Sequence, residues 1–266
     1  MNTNNTRKIT IHDSFGYEIP MNERYKLIRE TGFDGVMLGW CGFPDNPHET
    51  KHLNPSLARK NSLYIENLHT PFESCNSLWL DGIDGDEYLI TQLSCIDDCV
   101  RYDIPAMVIH VSGGNNPPPF GVTGLERIKR LVFKAEDNNI NLAFENLRRP
   151  EYVRYILDNV KSDRVKFCFD IGHWHCRTPD EDLLKEFGGK LIALHLHDND
   201  GTDDQHRLPY DGTIEWNEAM RNIKAIKYWG AVGLEIGNSG YETISPSDFL
   251  HLAYERAVKL RQLLDK

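Results

Sequence analysis

The sequence predicts a single (β/α)8 TIM barrel spanning residues 1–266, and three observations support that prediction. Eight short apolar runs indicate β-strands, and stretches with helical periodicity separate them. The chain has 266 residues, 40% of them hydrophobic, which is enough for one domain with a large core. No linker rich in Pro, Gly or Ser and no internal repeat interrupts the alternation. Eight β-then-α units are the number that closes a barrel.

The strands are predicted from short runs of apolar and β-branched residues. They are Lys8–His12, Gly35–Trp40, Tyr64–His69, Ala106–Val111, Ile140–Glu145, Val165–Asp170, Leu191–His197 and Ala231–Ile236. Two helix starts are predicted at Thr178 and Ser245, because each hydroxyl residue precedes a proline and then acidic residues of a first turn.

Side-chain alternation predicts which face of each strand points into the barrel. In the seventh strand Ile192, Leu194 and Leu196 would point outward at the helices, while Ala193, His195 and His197 would point inward. The fourth, fifth and eighth strands show the same division, with large apolar residues on one face and small residues followed by a polar one on the other. Each inward row therefore ends in a polar side chain.

Imidazole and carboxylate groups occupy six of these strand ends. They are His69, His110, Glu145, Asp170, His195 and Glu235, and His173 follows three residues after Asp170. The carboxyl ends of barrel strands meet at one mouth, where active sites of this architecture lie. Buried charges at one level require cations or mutual pairing. We therefore expect a divalent metal, and mixed His and carboxylate donors favour Zn, Mn, Co or Fe(II) over Ca or Mg.

Two loops carry further candidates. The segment 199–216 is longer than most connections in α/β units, and its Asp204 and His206 could add two ligands. A solvated acidic loop is the alternative interpretation. The segment 112–116, Ser-Gly-Gly-Asn-Asn, could hold an anion on backbone N–H groups or be a flexible loop.

Composition argues against several classes of function. The net charge of −10 opposes a phosphate backbone, and no basic run offsets it, so nucleic-acid binding is not expected. The six cysteines follow no disulfide or zinc spacing. No apolar run has the length of a membrane helix and the start lacks a signal-peptide pattern, so we expect a cytoplasmic protein without a membrane partner. The sequence is compatible with a homo-oligomer.

The strand-end motifs resemble those of the xylose-isomerase-like TIM barrel superfamily, which includes sugar isomerases and epimerases, inosose-handling enzymes and endonuclease IV. The matching segments are Ala143–Asn146, Phe169–His173, Leu194–Asp198, Asp204–His206 and Leu234–Glu235. The resemblance spans nearly the whole chain and implies the barrel and a metal site.

Resemblance to the ketose 3-epimerases implies one metal held by Glu145, Asp170, His195 and Glu235. It also implies that Glu145 and Glu235 exchange the proton at the carbon being inverted, through an enediolate. Substrate contacts are expected from His12, Trp40, Glu151, His173 and His197. The chain departs from these enzymes at Gly201, where they carry an arginine that binds sugar oxygens.

Resemblance to endonuclease IV implies three zinc ions. The added ligands would be His69, His110, His173, Asp204 and His206. The parts that handle DNA differ, because Glu73 follows Phe72 where an apolar wedge is expected, and Lys51 is the only basic side chain between Trp40 and His52.

The resulting interpretation is a metal-dependent sugar or sugar phosphate isomerase/epimerase that binds a small carbohydrate and one to three divalent ions, Zn or Mn. The first alternative is an endonuclease IV-like multinuclear zinc phosphoesterase. The second is a non-catalytic barrel that binds a metal or a sugar.

Overall fold

Eight parallel strands form the barrel in a computed structural model that describes residues 6–41 and 50–265. The strands are β1 Ile9–His12, β2 Gly35–Gly39, β3 Tyr64–His69, β4 Ala106–Ile109, β5 Asn141–Glu145, β6 Val165–Asp170, β7 Leu191–His195 and β8 Val232–Leu234. They pair in the order β7-β6-β5-β4-β3-β2-β1-β8. The predicted (β/α)8 barrel is therefore confirmed.

Helices follow the strands and surround the barrel. The α-helices are α1 Met21–Thr31, α2 Asn54–Lys60, α3 Ile83–Arg101, α4 Val122–Asn138, α5 Glu151–Asn159, α6 Ile171–Arg177, α7 Leu183–Phe187, α8 Trp216–Ala225 and α9 Pro246–Asp265. Short 3₁₀ turns lie at Lys51–Leu53, Cys75–Trp79 and Gly188–Lys190. Within the described residues, no helix is both long enough and apolar enough to cross a bilayer.

The barrel closes through Leu196, one residue beyond β7. Its N–H donates to the Gly233 carbonyl at 2.9 Å, and its carbonyl accepts from Glu235 N–H at 3.2 Å. Strands β4, β7 and β8 end two residues earlier than predicted. Beyond β4 the reason is visible, because the carbonyl of His110 accepts from the Tyr88 hydroxyl at 2.9 Å instead of continuing the ladder.

Small residues fill the barrel interior, as the alternation predicts. Val108, Ala143, Cys168 and Ala193 form an inner cluster separate from the large core between strands and helices. The prediction for Ile192 was wrong, since it packs against the inner cluster. The register between β6 and β7 shifts at Phe167/Cys168 and leaves Ile192 without a partner on β6, so strict alternation is interrupted at this bulge.

One of the two predicted helix caps is correct. The Ser245 hydroxyl accepts from Asp248 N–H at 3.1 Å and starts α9. Thr178 instead ends α6, which begins earlier because the Asp170 carboxylate accepts from His173 N–H at 2.6 Å. The next helix, α7, is capped by Asp182.

A carboxyl group lies low in the barrel, below the strand ends. Glu66 on β3 accepts a hydrogen bond from the Thr10 hydroxyl on β1. Burial raises the pKa of Glu66 from 4.5 to about 7, although Thr10 and His195 act in the opposite direction. Because the folded state holds this proton more tightly than the unfolded chain, the contribution to stability is full below pH 4.5 and is lost as the pH rises through 7.

Replacing Glu66 by Gln should remove this titration. Between pH 4.5 and 8, we expect the free energy of unfolding to fall by on the order of 1–3 kcal/mol less in Glu66→Gln than in wild type. Urea unfolding at a series of pH values measures it. The control is Glu87→Gln, an exposed glutamate of α3. Parallel pH profiles for wild type and Glu66→Gln would contradict the assignment.

The long segment 199–216 is anchored by one buried carboxylate at its start. Asp198 accepts from the N–H groups of Asn199 at 2.9 Å, Tyr210 at 2.9 Å and Ile214 at 3.2 Å, and from the Trp216 indole at 2.8 Å. Asp198 also pairs with Arg207 across an antiparallel bridge. The segment is therefore folded back against the barrel mouth.

Truncating this carboxylate should loosen the whole segment. In Asp198→Ala four donors lose their acceptor, so we expect a loss on the order of 3 kcal/mol and a fall in Tm of roughly 6 to 12 °C. Thermal unfolding and limited proteolysis within 199–216 measure this. Asp203→Ala, which removes an exposed carboxylate of the same segment, is the control. Equal effects of the two substitutions would refute the anchoring role.

Candidate functional site

Side chains from several strand ends converge on Glu145 at the mouth of the barrel. Its Oε2 lies 3.1 Å from His110 Nε2, 3.5 Å from His69 Nε2 and 3.3 Å from His195 Nδ1. Its Oε1 lies 3.1 Å from His173 Nδ1. The strand ends predicted from sequence to share one mouth are thus within contact distance.

Four side chains each offer one donor atom to a common point. In Glu145, Asp170, His195 and Glu235 these atoms all lie within 4.8 Å of one another. His195 Nδ1 is 2.9 Å from Glu235 Oε2 and 4.0 Å from Asp170 Oδ2. Asp170 and His195 are fully buried, and Glu145 is 1% exposed. Three carboxylates therefore surround one imidazole with little access to water.

The electrostatics of this cluster favour a bound positive charge. Burial by itself raises the pKa of Glu145, but His110 and His195 lower it well below its ordinary value. Glu235 behaves likewise, with His195 overcoming the effect of burial on its pKa. Burial lowers the pKa of His195, yet Cys168 and Glu235 raise it well above its ordinary value. Glu145 and Glu235 are therefore ionised, and their negative charges attract a cation.

The donor set fits a divalent metal. Glu145 Oε1 and both nitrogens of His195 are buried, and although charged atoms lie nearby, none of the three forms a hydrogen bond of suitable geometry among the described residues. His173 Nδ1, the ring nitrogen nearest Glu145, donates its hydrogen to the Asn146 carbonyl at 3.1 Å. Unpartnered buried polar atoms are costly. A cation between the carboxylates would satisfy these atoms and would supply the charge that a proton on His195 otherwise provides.

Asn146 and Gly172 hold the cluster in place. The Asn146 side chain pairs twice with the backbone of Asp170, accepting from its N–H at 2.8 Å and donating to its carbonyl at 2.7 Å. His197 Nε2 lies 3.1 Å from both carboxylate oxygens of Asp170. A Cβ at Gly172 would lie 1.9 Å from the His197 ring, so only glycine permits this contact.

The loop candidates also reach the site. Asp204 Oδ2 lies 3.1 Å from His173 Nε2 and 3.3 Å from His206 Nε2. His206, in the left-handed region with φ 46°, places Nδ1 2.8 Å from the Glu235 carbonyl. Because a carbonyl only accepts, Nδ1 carries the proton and Nε2 faces Asp204. Among the further donor groups of the described residues, His197–His206–Glu235 includes the loop residue His206, and His69–His110–Glu145 lies on the strand ends.

A cavity of about 510 Å³ opens above the cluster. Glu145, Glu235 and the histidines His69, His110, His173 and His206 line it together with Asp204. The segment 112–114 lines another wall, as does Arg148. The Gly113 N–H, one of the groups considered for anion binding, donates to the Asn76 side chain at 2.8 Å.

Four expected substrate contacts lie away from the lining of this cavity. Trp40 is fully buried and donates its indole N–H to Asp98 on α3 at 2.9 Å. Glu151 begins α5, and its Oε1 lies 2.9 Å from Arg149 Nε. His12 is buried with its ring centroid 5.9 Å from that of His69, and His197 lies beneath Asp170. Of the expected substrate contacts, His173 lines the cavity.

Some residues of the site were not singled out by sequence reasoning. Cys168 lies two residues before Asp170, and the same alternation would have placed it inward beside His195. Asn146 directly follows Glu145, but the sequence carries no signal that its side chain bonds another strand. Arg148 lies in a loop without periodicity, so no pattern predicts its direction.

Comparison with known proteins identifies a matching family model and several related proteins. Residues 25–259 match the family model described as xylose isomerase-like TIM barrel. The Sinorhizobium fredii protein y4fM is 30% identical over 135 residues, 48% of this chain and 43% of y4fM, so the match spans less than half of that relative. Fructoselysine 3-epimerase of Shigella flexneri is 24% identical over 251 residues, 85% of each chain.

Solved structures share the fold at low identity. D-psicose 3-epimerase from Clostridium cellulolyticum H10, solved with D-tagatose, has a TM-score of 0.78 and 15% identity over 97% of this chain and 99% of its own. A D-tagatose 3-epimerase-like protein has a TM-score of 0.75 and 19% identity over 96% of this chain and 98% of its own. With a family model that covers most of its length, the chain belongs to the xylose isomerase-like TIM barrel family.

Proposed function

We propose that this protein is a divalent-metal-dependent sugar isomerase or epimerase that transfers a proton through an enediolate. The observation that carries the proposal is the buried cluster of Glu145, Asp170, His195 and Glu235, two of whose carboxylates reach the cavity. Relatives that bear epimerase names, among them fructoselysine 3-epimerase, support a sugar as substrate.

The same four residues would hold one divalent ion. Their mixed carboxylate and imidazole donors suit Mn or Zn. Bound there, such an ion polarises the carbonyl and neighbouring hydroxyl of a ketose, which makes the adjacent C–H more acidic.

The proton chemistry falls to Glu145 and Glu235. They project from β5 and from just beyond β8, so a sugar between them would meet a carboxylate on each side. Their lowered pKa values keep both ionised and able to accept a proton. One carboxylate takes the proton from the carbon next to the carbonyl, leaving an enediolate. The second carboxylate, once it has taken a proton from water, delivers that proton to the opposite face and inverts the carbon. The first carboxylate gives its proton back to water, so no atoms are gained or lost overall.

Neutralising Glu235 should stop this exchange. Glu235→Gln keeps an oxygen donor but cannot accept the proton, so we expect deuterium incorporation from D₂O into a substrate ketose to fall about 10²- to 10⁴-fold. Mass spectrometry of the recovered sugar measures it.

The matched control is Glu242→Gln, an exposed glutamate after β8. Metal content and Tm of both variants separate a chemical defect from a lost ion or fold. Exchange by Glu235→Gln at the wild-type rate would rule out the role of Glu235, and absence of exchange in wild type across ketoses and their phosphates would favour a non-catalytic barrel.

A second candidate function is a multinuclear zinc phosphoesterase. Two of the further donor groups, one around His69 and His110 and one around His197 and His206, favour it, because they could hold additional ions. Asp204 lies 3.1 to 3.6 Å from His173, His197 and His206 and would add a carboxylate to the second of these groups.

The double substitution Asp204→Ala/His206→Ala separates the two functions. Under the proposed isomerase, the variant retains bound metal and measurable proton exchange, since the four-residue cluster is intact. A three-metal hydrolase would lose its activity on phosphate esters. Isotope exchange and phosphodiester hydrolysis, each with wild type alongside, are the measurements. Zinc-dependent hydrolysis in wild type that disappears in the double variant would support the phosphoesterase.

A further inference from the structure

Arg148 is a cation in the wall of the cavity that has no partner among the residues the structure describes. It follows Glu145 by three residues, after β5 has ended, and lines the same space as Glu145 and Glu235. The side chain is half-buried, and its Nε is buried without a hydrogen-bond partner. Across residues 6–41 and 50–265 no ion pair or hydrogen bond of its guanidinium is found.

The other buried arginines of the described chain differ from Arg148 because they have binding partners. Those that are partly or fully buried have partners: Arg127 binds Asp86 and backbone carbonyls, and Arg256 binds Asp211. Even the exposed Arg149, next in sequence, pairs with Glu151. Arg130 and Arg221 also form no such contacts within the described chain, but both are exposed to water. Arg148 alone is withdrawn from water without a partner in that part of the chain.

A guanidinium in this position is available to bind a negatively charged group of a ligand. Withdrawing a charge from water without compensation costs free energy, so the arrangement is favourable when a ligand supplies the negative charge. The planar fork of arginine matches phosphate and carboxylate oxygens in a bidentate manner. Glu73 also lines the cavity, but it is exposed and lies beyond ion-pair distance of Arg148.

The loop at 112–114, which lines the same cavity, leaves room for such a group. The Asn76 side chain fixes Gly113 through two hydrogen bonds, at 2.8 and 3.0 Å. Gly114 has φ +71° and open space where a Cβ would project, so the loop leaves its part of the cavity clear. Arg148, this loop, Asn76 and Glu73 line the same cavity as Asp204 and His206 of the segment 199–216.

We propose that Arg148 binds an anionic group of the substrate, a phosphate or a carboxylate, while the sugar carbonyl faces Glu145 and Glu235. This rests on the proposed isomerase or epimerase function, and it narrows the substrate class to acidic sugars. Arg148 is a specificity-determining residue and takes no part in the proton transfer.

The test compares neutral and anionic probes on wild type and Arg148→Gln. The probes are D-fructose, D-fructose 6-phosphate and the carboxylate-bearing fructosyl-glycine, each assayed for deuterium incorporation. We expect wild type to favour an anionic probe. In Arg148→Gln the KM for that probe should rise about 10- to 100-fold, with kcat and the reaction of D-fructose little changed. Arg148→Lys should recover part of the affinity. The preferred anionic probe separates phosphate from carboxylate.

Arg130→Gln, which removes an exposed charge from α4, is the matched control, and Tm values confirm folding. Equal effects of Arg148→Gln on neutral and anionic probes would overturn the inference while leaving the isomerase intact. If no probe exchanges deuterium, the proposed function fails, and calorimetric titration with the two anionic probes still decides the inference. Binding that is tenfold weaker in Arg148→Gln would sustain it, and absent or equal binding would overturn it.

Discussion

Three carboxylates gather around one imidazole at the barrel mouth, and the surrounding structure must hold these like charges together. Glu145, Asp170 and Glu235 meet at His195, where water has little access. Such a group of like charges is unfavourable unless a cation joins it. The surrounding contacts hold this arrangement: Asn146 fixes the backbone of Asp170, and His197 bonds its carboxylate. The fold supports a concentration of negative charge, and no arginine or lysine of the described residues forms an ion pair with it.

In this barrel, the apolar residues that stabilise the fold are separate from the polar residues of the candidate site. The large core lies between strands and helices, and a plug of small residues fills the interior below the site. Polar groups that would be costly in that core are placed at the strand ends, where the cavity, the segment 199–216 and the loop at 112–114 enclose them. Asp198 anchors the longest of these loops with four hydrogen bonds, so the wall that carries Asp204 and His206 is held against the barrel.

Sequence patterns predict those features that follow a strict period. Strand alternation places Glu145 and His195 inward, because neighbours on a strand must point to opposite faces. It fails at Ile192, where a bulge adds a residue that no local pattern reveals. Trp40 is bound to Asp98, a residue 58 positions away, and such pairing over long distances is invisible to periodicity. The direction of Arg148 depends on loop geometry and emerges from the structure alone.

The number of metal ions per chain distinguishes a one-metal isomerase from a three-metal hydrolase. Elemental analysis of protein loaded with Mn or Zn and then passed through a desalting column counts the ions that the site retains. We expect about one tightly bound ion per chain, held by Glu145, Asp170, His195 and Glu235, and loss of that ion in Asp170→Ala. About three zinc ions per chain, or none, would contradict it.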